Sequence, residues 1–167
     1  MNRESKCPDY FLEEHKDVYK RQKQSRDFLK LGTDAMLLSH FTRVKKHDHI
    51  CDLGCGNGAI TVLLAARHPD ISLTGIEILP GAAALAEENI VINGLQKRMQ
   101  VICGDVLETP KLLPPESFQV VVSNPPYLKR DGGLHTENKN LLTARMEIAS
   151  TIDDICRAAA YLLCRCV

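Results

Sequence analysis

The sequence predicts an α/β fold with a doubly wound, mainly parallel sheet. Three observations carry this reading. Apolar runs of strand length alternate with helical patterns from residue 33 onward. The first of these runs, His49-Ile50-Cys51-Asp52-Leu53, passes through the glycine-rich turn Gly54-Cys55-Gly56-Asn57-Gly58 into a helical pattern. The last, Phe118 to Ser123, stops at Asn124-Pro125-Pro126-Tyr127, because two consecutive prolines have no N–H to give a strand ladder.

The elements follow in order. Residues 1–30 are polar and are expected to form a separate N-terminal segment, in part disordered. Residues 31–167 form the folded domain. Thr33 or Asp34 can cap a helix through Met36, Leu37, Leu38 and Phe41. After the strand His49 to Leu53, Ala59 to Arg67 reads as a helix with Ile60, Leu63 and Leu64 inward, closed by Pro69. Ile71 to Ile78 is a second strand, and Gly81 to Ile92 a helix that Asn93-Gly94 stops. Met99 to Cys103 is the third strand, Phe118 to Ser123 the fourth, and Thr143 to Leu163 is largely helical.

Composition narrows the function. The 167 residues are 44% hydrophobic and 25% charged, ordinary values for one globular domain. No apolar run approaches the ~20 residues of a membrane helix, and Met1 to Lys6 lacks a signal-peptide core. The expectation is a cytoplasmic protein without a membrane partner. Net charge is zero, which argues against a strongly basic nucleic-acid binder but leaves room for a local basic face. Seven cysteines make no disulfide framework, and Cys51, Cys55 and Cys103 read as buried thiols. Cys164 and Cys166 form a C-x-C, but no second cysteine or histidine pair has zinc-like spacing, so no metal is expected. The six histidines are scattered without a nucleophile partner, which speaks against covalent hydrolysis.

Four features fall at the carboxyl ends of successive strands, where open α/β sheets bind ligands. Asp52 to Gly58 is a glycine-rich turn whose backbone a ligand can approach closely, with Gly54, Gly56 and Gly58 as its glycines. By itself it also satisfies a dinucleotide fingerprint. Glu77 ends the second strand, where an acidic side chain can grip two ribose hydroxyls. Asp105-Val106 follows the third strand and offers an acceptor to an amino group. Asn124, Pro125, Pro126 and Tyr127 place an amide, carbonyls and an aromatic ring at the end of the fourth. Such a set suits a planar group with an exocyclic NH2. Lys129 and Arg130 flank it and could hold phosphates.

Together, Asp52-Leu53-Gly54-Cys55-Gly56-Asn57-Gly58, Glu77, Asp105 and Asn124-Pro125-Pro126-Tyr127 resemble the motif series of class I S-adenosylmethionine-dependent methyltransferases with a Rossmann-like fold, in the branch that methylates amino nitrogens. The resemblance implies S-adenosyl-L-methionine as cofactor, with its methionine part on Asp52, Gly54, Gly56 and Gly58, its ribose on Glu77 and its adenine on Asp105 and Val106. The chemistry of an amino acceptor then gives catalysis to Asn124, Pro125, Pro126 and Tyr127, and substrate binding to Tyr127 by stacking and to the flanking Lys129 and Arg130. The segments Leu31 to Leu38, Ala144-Arg145-Met146-Glu147 and Asp153 to Ala159 are further similar to bacterial tRNA (adenine-N6) methyltransferases acting on valine tRNA, which usually carry His where this chain has Met146.

Two other readings belong beside this one. A protein glutamine N5-methyltransferase would use the same tetrapeptide, although about thirty polar residues are few for the N-terminal substrate domain of that family. An inactive cofactor-binding remnant is the non-enzyme alternative. The family pattern of a Gly-rich turn, a strand and a closing hairpin does not follow Leu163, where the chain reads Cys164-Arg165-Cys166-Val167. The expectation is a domain lacking the last strands, in which cofactor binding survives better than turnover.

Overall fold

Apolar runs read as strands pair in register into one parallel sheet. The protein is described here by a computed structural model covering residues 10–15, 20–25, 32–125 and 151–164. In chain order, strands β1 (Tyr10–His15) and β2 (Lys20–Ser25) precede helix α1 (Thr33–Phe41), strand β3 (His49–Leu53) and helix α2 (Ala59–Arg67). Strand β4 (Ser72–Glu77), helix α3 (Pro80–Ile92) and strand β5 (Met99–Cys103) follow. A single 3-10 turn (Val106–Glu108) leads into the short helix α4 (Thr109–Leu112), then strand β6 (Val120–Val122) and helix α5 (Ile152–Leu162).

The main sheet has the order β5-β4-β3-β6, all pairs parallel. Residues alternate across its two faces, so each face needs its own cover. On one face Ile50, Leu73, Met99 and Val122 join Val62 and Leu64 of α2 and Ile90 of α3 in the larger core cluster. On the other, Cys51, Leu53, Ile76 and Phe118 pack with Ala158 and Leu162 of α5. Helices on both faces make the sheet doubly wound, as expected. Ile60, Leu63 and Leu64 are buried, as their spacing predicts.

The differences from the sequence reading have physical causes. Residues 10–15 and 20–25, expected to belong to a partly disordered segment, instead form the antiparallel pair β1–β2, with Tyr10 opposite Ser25 and His15 opposite Lys20. Strand β2, Lys20-Arg21-Gln22-Lys23-Gln24-Ser25, contains no apolar residue, so no hydrophobic pattern reveals the pair. Helix α1 starts after Gly32 rather than being capped by Thr33 or Asp34, which lie inside it. Strand β6 is shorter than expected because Phe118 bridges to Leu163 instead. The N–H groups of Ser117 and Phe118 both donate to Leu162 O, at 2.9 and 3.0 Å. Cys103, expected to be buried, is exposed at the end of β5. The predicted helix from Thr143 is observed only from Ile152, where Thr151 and Asp154 form a capping box; residues 143–150 lie outside those described.

Gly75 in the middle of β4 is fixed by a close approach. A Cβ there would stand 2.5 Å from Cys55 Sγ and 2.9 Å from Cys55 Cβ. Gly75→Ala therefore pushes the glycine-rich turn off the sheet and should destabilise the protein by about 1–3 kcal/mol. A thermal melt matching wild type would refute the contact.

Candidate functional site

Parallel pairing brings the four sequence features to one edge of the sheet. Glu77 pairs with Cys103, Ile76 with Leu53, and Asp52 with Val122. The carboxyl ends of β5, β4, β3 and β6 thus stand side by side. Asp105, Glu77, the glycine-rich turn and Asn124 follow them in that order. Ser123 Oγ donates to Leu53 O at 2.8 Å, tying the residue before Asn124 to the one before Gly54.

The turn between β3 and α2 is built on backbone bonds. The N–H groups of Gly54 and Cys55 both donate to Ile76 O, at 2.9 and 3.0 Å, and Gly58 N donates to Cys55 O at 2.9 Å. Gly54, Gly56 and Gly58 have φ of 75°, 56° and 77°, a region that favours glycine. A Cβ on Gly54 or Gly56 would meet nothing within 4 Å, so the outer side of the turn is open to a ligand. Gly58 is different: its Cβ would come 3.3 Å from both Ala86 Cβ and Thr61 Oγ1. Its role is packing at the start of α2.

Glu77 is buried and spans the turn. Its Oε2 accepts from Gly56 N at 2.8 Å and its Oε1 from Leu79 N at 2.9 Å. Burial raises its pKa, and backbone N–H groups of Leu79, Gly56 and Ile78 partly offset this. Asp52 is fully buried, and neither carboxylate oxygen has a hydrogen-bond partner among the described residues. Burial first, then repulsion from Glu77, pushes its pKa up to about 7. Burial first, then the neighbouring Asp52, pushes the Cys51 thiol up to about 12. Burial, Asp52 and Glu77 raise Cys55 well above its ordinary value. Neither thiol is a nucleophile at neutral pH.

Asp105 caps the 3-10 turn, its Oδ1 accepting from Leu107 N at 2.9 Å. Ile78 and Leu107, which follow the two acidic strand ends closely, are exposed large apolar side chains. Neither was legible as a site residue in the sequence, where they are two hydrophobic residues among many. Their exposure beside carboxylates is what marks them. Of the remaining expected site residues, Val106 is half-buried on the 3-10 turn, and Asn124 and Pro125 are half-buried beyond β6. Pro126, Tyr127, Lys129 and Arg130 lie outside the described residues, as do Ala144 to Glu147.

The arrangement fits a ligand with positive charge, a polyol and a planar ring. An unpartnered buried carboxylate suits a nearby cation, a strand-end Glu suits paired hydroxyls, and apolar surface beside Asp105 suits an aromatic ring carrying an amino group. Among the described residues, no group of three or more His, Cys, Asp or Glu side chains could hold a metal ion. No helix there is long and apolar enough to cross a membrane.

Comparison with known proteins gives consistent findings. The Methyltransferase small domain family matches residues 16–149. The tRNA1(Val) (adenine(37)-N6)-methyltransferase of Porphyromonas gingivalis is 33% identical over 141 residues, covering 80% of this chain and 54% of its own length. The protein of the same name from Bacteroides thetaiotaomicron is 32% identical over 136 residues, covering 81% and 55%. The chain thus spans about half the length of the curated relatives it matches. Among solved structures, a candidate S-adenosyl-L-methionine-dependent methyltransferase from Methanococcus maripaludis superposes with a TM-score of 0.56 at 19% identity, over 78% of this chain and 49% of its own. Protein YjhP of Escherichia coli gives 0.54 at 21%, over 80% and 45%. These two share the fold.

Proposed function

Since the chain belongs to the Methyltransferase small domain family, we propose that it is an S-adenosyl-L-methionine-dependent N-methyltransferase whose acceptor is the exocyclic N6 of an adenine in tRNA. The observation that carries the reading is the position of Asn124 at the carboxyl end of β6, beside the glycine-rich turn on β3. The names of the relatives support the tRNA adenine.

In this reading the open side of the turn at Gly54 and Gly56 holds the methionine part of the cofactor, with the charge of Asp52 beneath it. Glu77 holds the ribose, and Asp105 with Val106 the adenine, aided by Ile78 and Leu107. When bound, the cofactor supplies a methyl group on a cationic sulfur. An arylamine takes up a methyl poorly, because its lone pair is delocalised into the ring. Hydrogen bonds accepted by the Asn124 side chain and the Pro125 carbonyl favour a pyramidal nitrogen and disperse the positive charge that develops on it. Tyr127 stacks on the base, offsetting part of the few kcal/mol needed to draw the adenine out of its loop. Lys129 and Arg130 hold the neighbouring phosphates. Much of the acceleration then comes from positioning.

The test is transfer of labelled methyl from the cofactor to unmodified tRNA and, in parallel, to a release-factor protein. Label in N6-methyladenosine after digestion of the tRNA is the expected result. Label only on the protein would replace the tRNA reading with glutamine methylation, and label on neither would leave this chain without the proposed activity.

A further inference from the structure

The N-terminal hairpin docks on the glycine-rich turn through an amide ladder that the family motifs do not include. Asn89 of α3 and Asn93 at its C-cap stand one turn apart, and each makes two bonds to the backbone of one β2 residue. Lys23 N donates to Asn89 Oδ1 at 2.6 Å, and Asn89 Nδ2 donates to Lys23 O at 3.0 Å. Arg21 N donates to Asn93 Oδ1 at 3.0 Å, and Asn93 Nδ2 donates to Arg21 O at 2.6 Å. The match is geometric: four helical residues rise ~6 Å, close to the ~6.7 Å between alternate strand residues. With Arg21 and Lys23 clamped, the intervening Gln22 faces the other way. It is 1% exposed, and its Nε2 donates to Asn57 Oδ1 at 3.0 Å.

Asn57 is the residue between Gly56 and Gly58. Asn89 Nδ2 also donates to its backbone oxygen, at 2.9 Å. Among the described residues, three side chains from other elements thus tether the Gly56–Asn57 part of the turn: Glu77 on Gly56 N, Asn89 on Asn57 O, and Gln22 on Asn57 Oδ1. The first is the Glu77 oxygen that a ribose would draw on. The other two remain when it is drawn away. The Gln22 bond also sets the Asn57 amide, leaving its buried Nδ2 without a partner among the described residues.

We propose that Gln22, held by the Asn89–Asn93 clamp on β2, is a positioning residue that fixes the glycine-rich turn for the methionine part of the cofactor. This rests on the cofactor reading above. Gln22→Met keeps the volume and removes the bond, and two ligands separate its consequences. S-adenosylhomocysteine needs the turn, whereas adenosine needs only Glu77 and Asp105. By calorimetry, Gln22→Met weakens S-adenosylhomocysteine about tenfold, the effect of one hydrogen bond, and leaves adenosine unchanged. Gln24→Met, an equally buried position on the same face of β2, leaves both at wild-type affinity.

Unchanged S-adenosylhomocysteine affinity in folded Gln22→Met overturns the proposal. So do equal losses for both ligands, or an equal loss in Gln24→Met. Should Gln22→Met not fold, Asn57→Ala removes the same bond from the other side and is read with the same two ligands. Wild-type protein that binds neither ligand overturns the cofactor reading itself, and with it the role of Gln22.

Discussion

Asn124→Ala is expected to lower methyl transfer to tRNA by about 10²–10³-fold, the loss typical when one preorganised hydrogen bond to a developing charge is removed. S-adenosylhomocysteine should bind as it does to wild type. The separation follows from topology. Asn124 extends from β6, whereas Glu77 and Asp105 follow β4 and β5, on the far side of β3. The substitution thus removes an acceptor for the amino group without touching the proposed cofactor contacts. Single-turnover transfer measured beside calorimetric binding checks both halves. Transfer at the wild-type rate would remove Asn124 from the mechanism; loss of cofactor binding would place it in the wrong half of the site.

Asp52→Asn is expected to stabilise the ligand-free protein above neutral pH and to weaken its grip on a cationic cofactor. Asp52 has an ordinary carboxyl value of 3.8 in the unfolded chain and about 7 in the fold, from burial and then Glu77. Between these values the folded state binds more protons than the unfolded state, so stability falls as pH rises from about 4 to about 7 and is level above. The full effect is on the order of 4 kcal/mol. Asparagine cannot ionise and escapes the fall. Melting temperatures for the two proteins should therefore converge near pH 4 and separate by pH 8, with Asp52→Asn the higher. Parallel curves would refute the raised pKa. The ionised, unpartnered carboxylate is the part of the fold that a positive ligand relieves, and a stabilising substitution that costs function is common at such sites.

The parallel sheet was legible in the sequence because buried strands are continuous apolar runs, and β3 and β5 fall where those runs predict, at His49–Leu53 and Met99–Cys103. Helix α2 follows from Ile60, Leu63 and Leu64 in the same way. Glu77 and Asp105 were placed at strand ends because such ends are marked by glycine and by loss of pattern, and that is where they stand. The hairpin was missed for the converse reason. Gln22 and Gln24 alternate as buried strand residues do, but they are polar, and periodicity in hydrophobicity cannot register a buried face of amides. Asn89 left a fainter signal, as a poor helix former inside α3, whereas Asn93 at the helix C-cap reads simply as the stop. Cys103 was misjudged because a strand end is open where a strand middle is not.

By itself, then, the sequence determined which segments are strands and helices and which chemical groups stand at the strand ends, since both depend on local pattern and on backbone-specific residues. Strand order could not come from there. Only the tertiary structure decided that β6 lies against β3, so that Ser123, just before Asn124, is tied to Leu53, just before the glycine-rich turn. Only it decided that Asp52 is buried with its oxygens unpartnered among the described residues, and that Gln22 reaches Asn57 across 35 residues. Burial and hydrogen-bond partnership are properties of how elements pack, and no residue carries them alone.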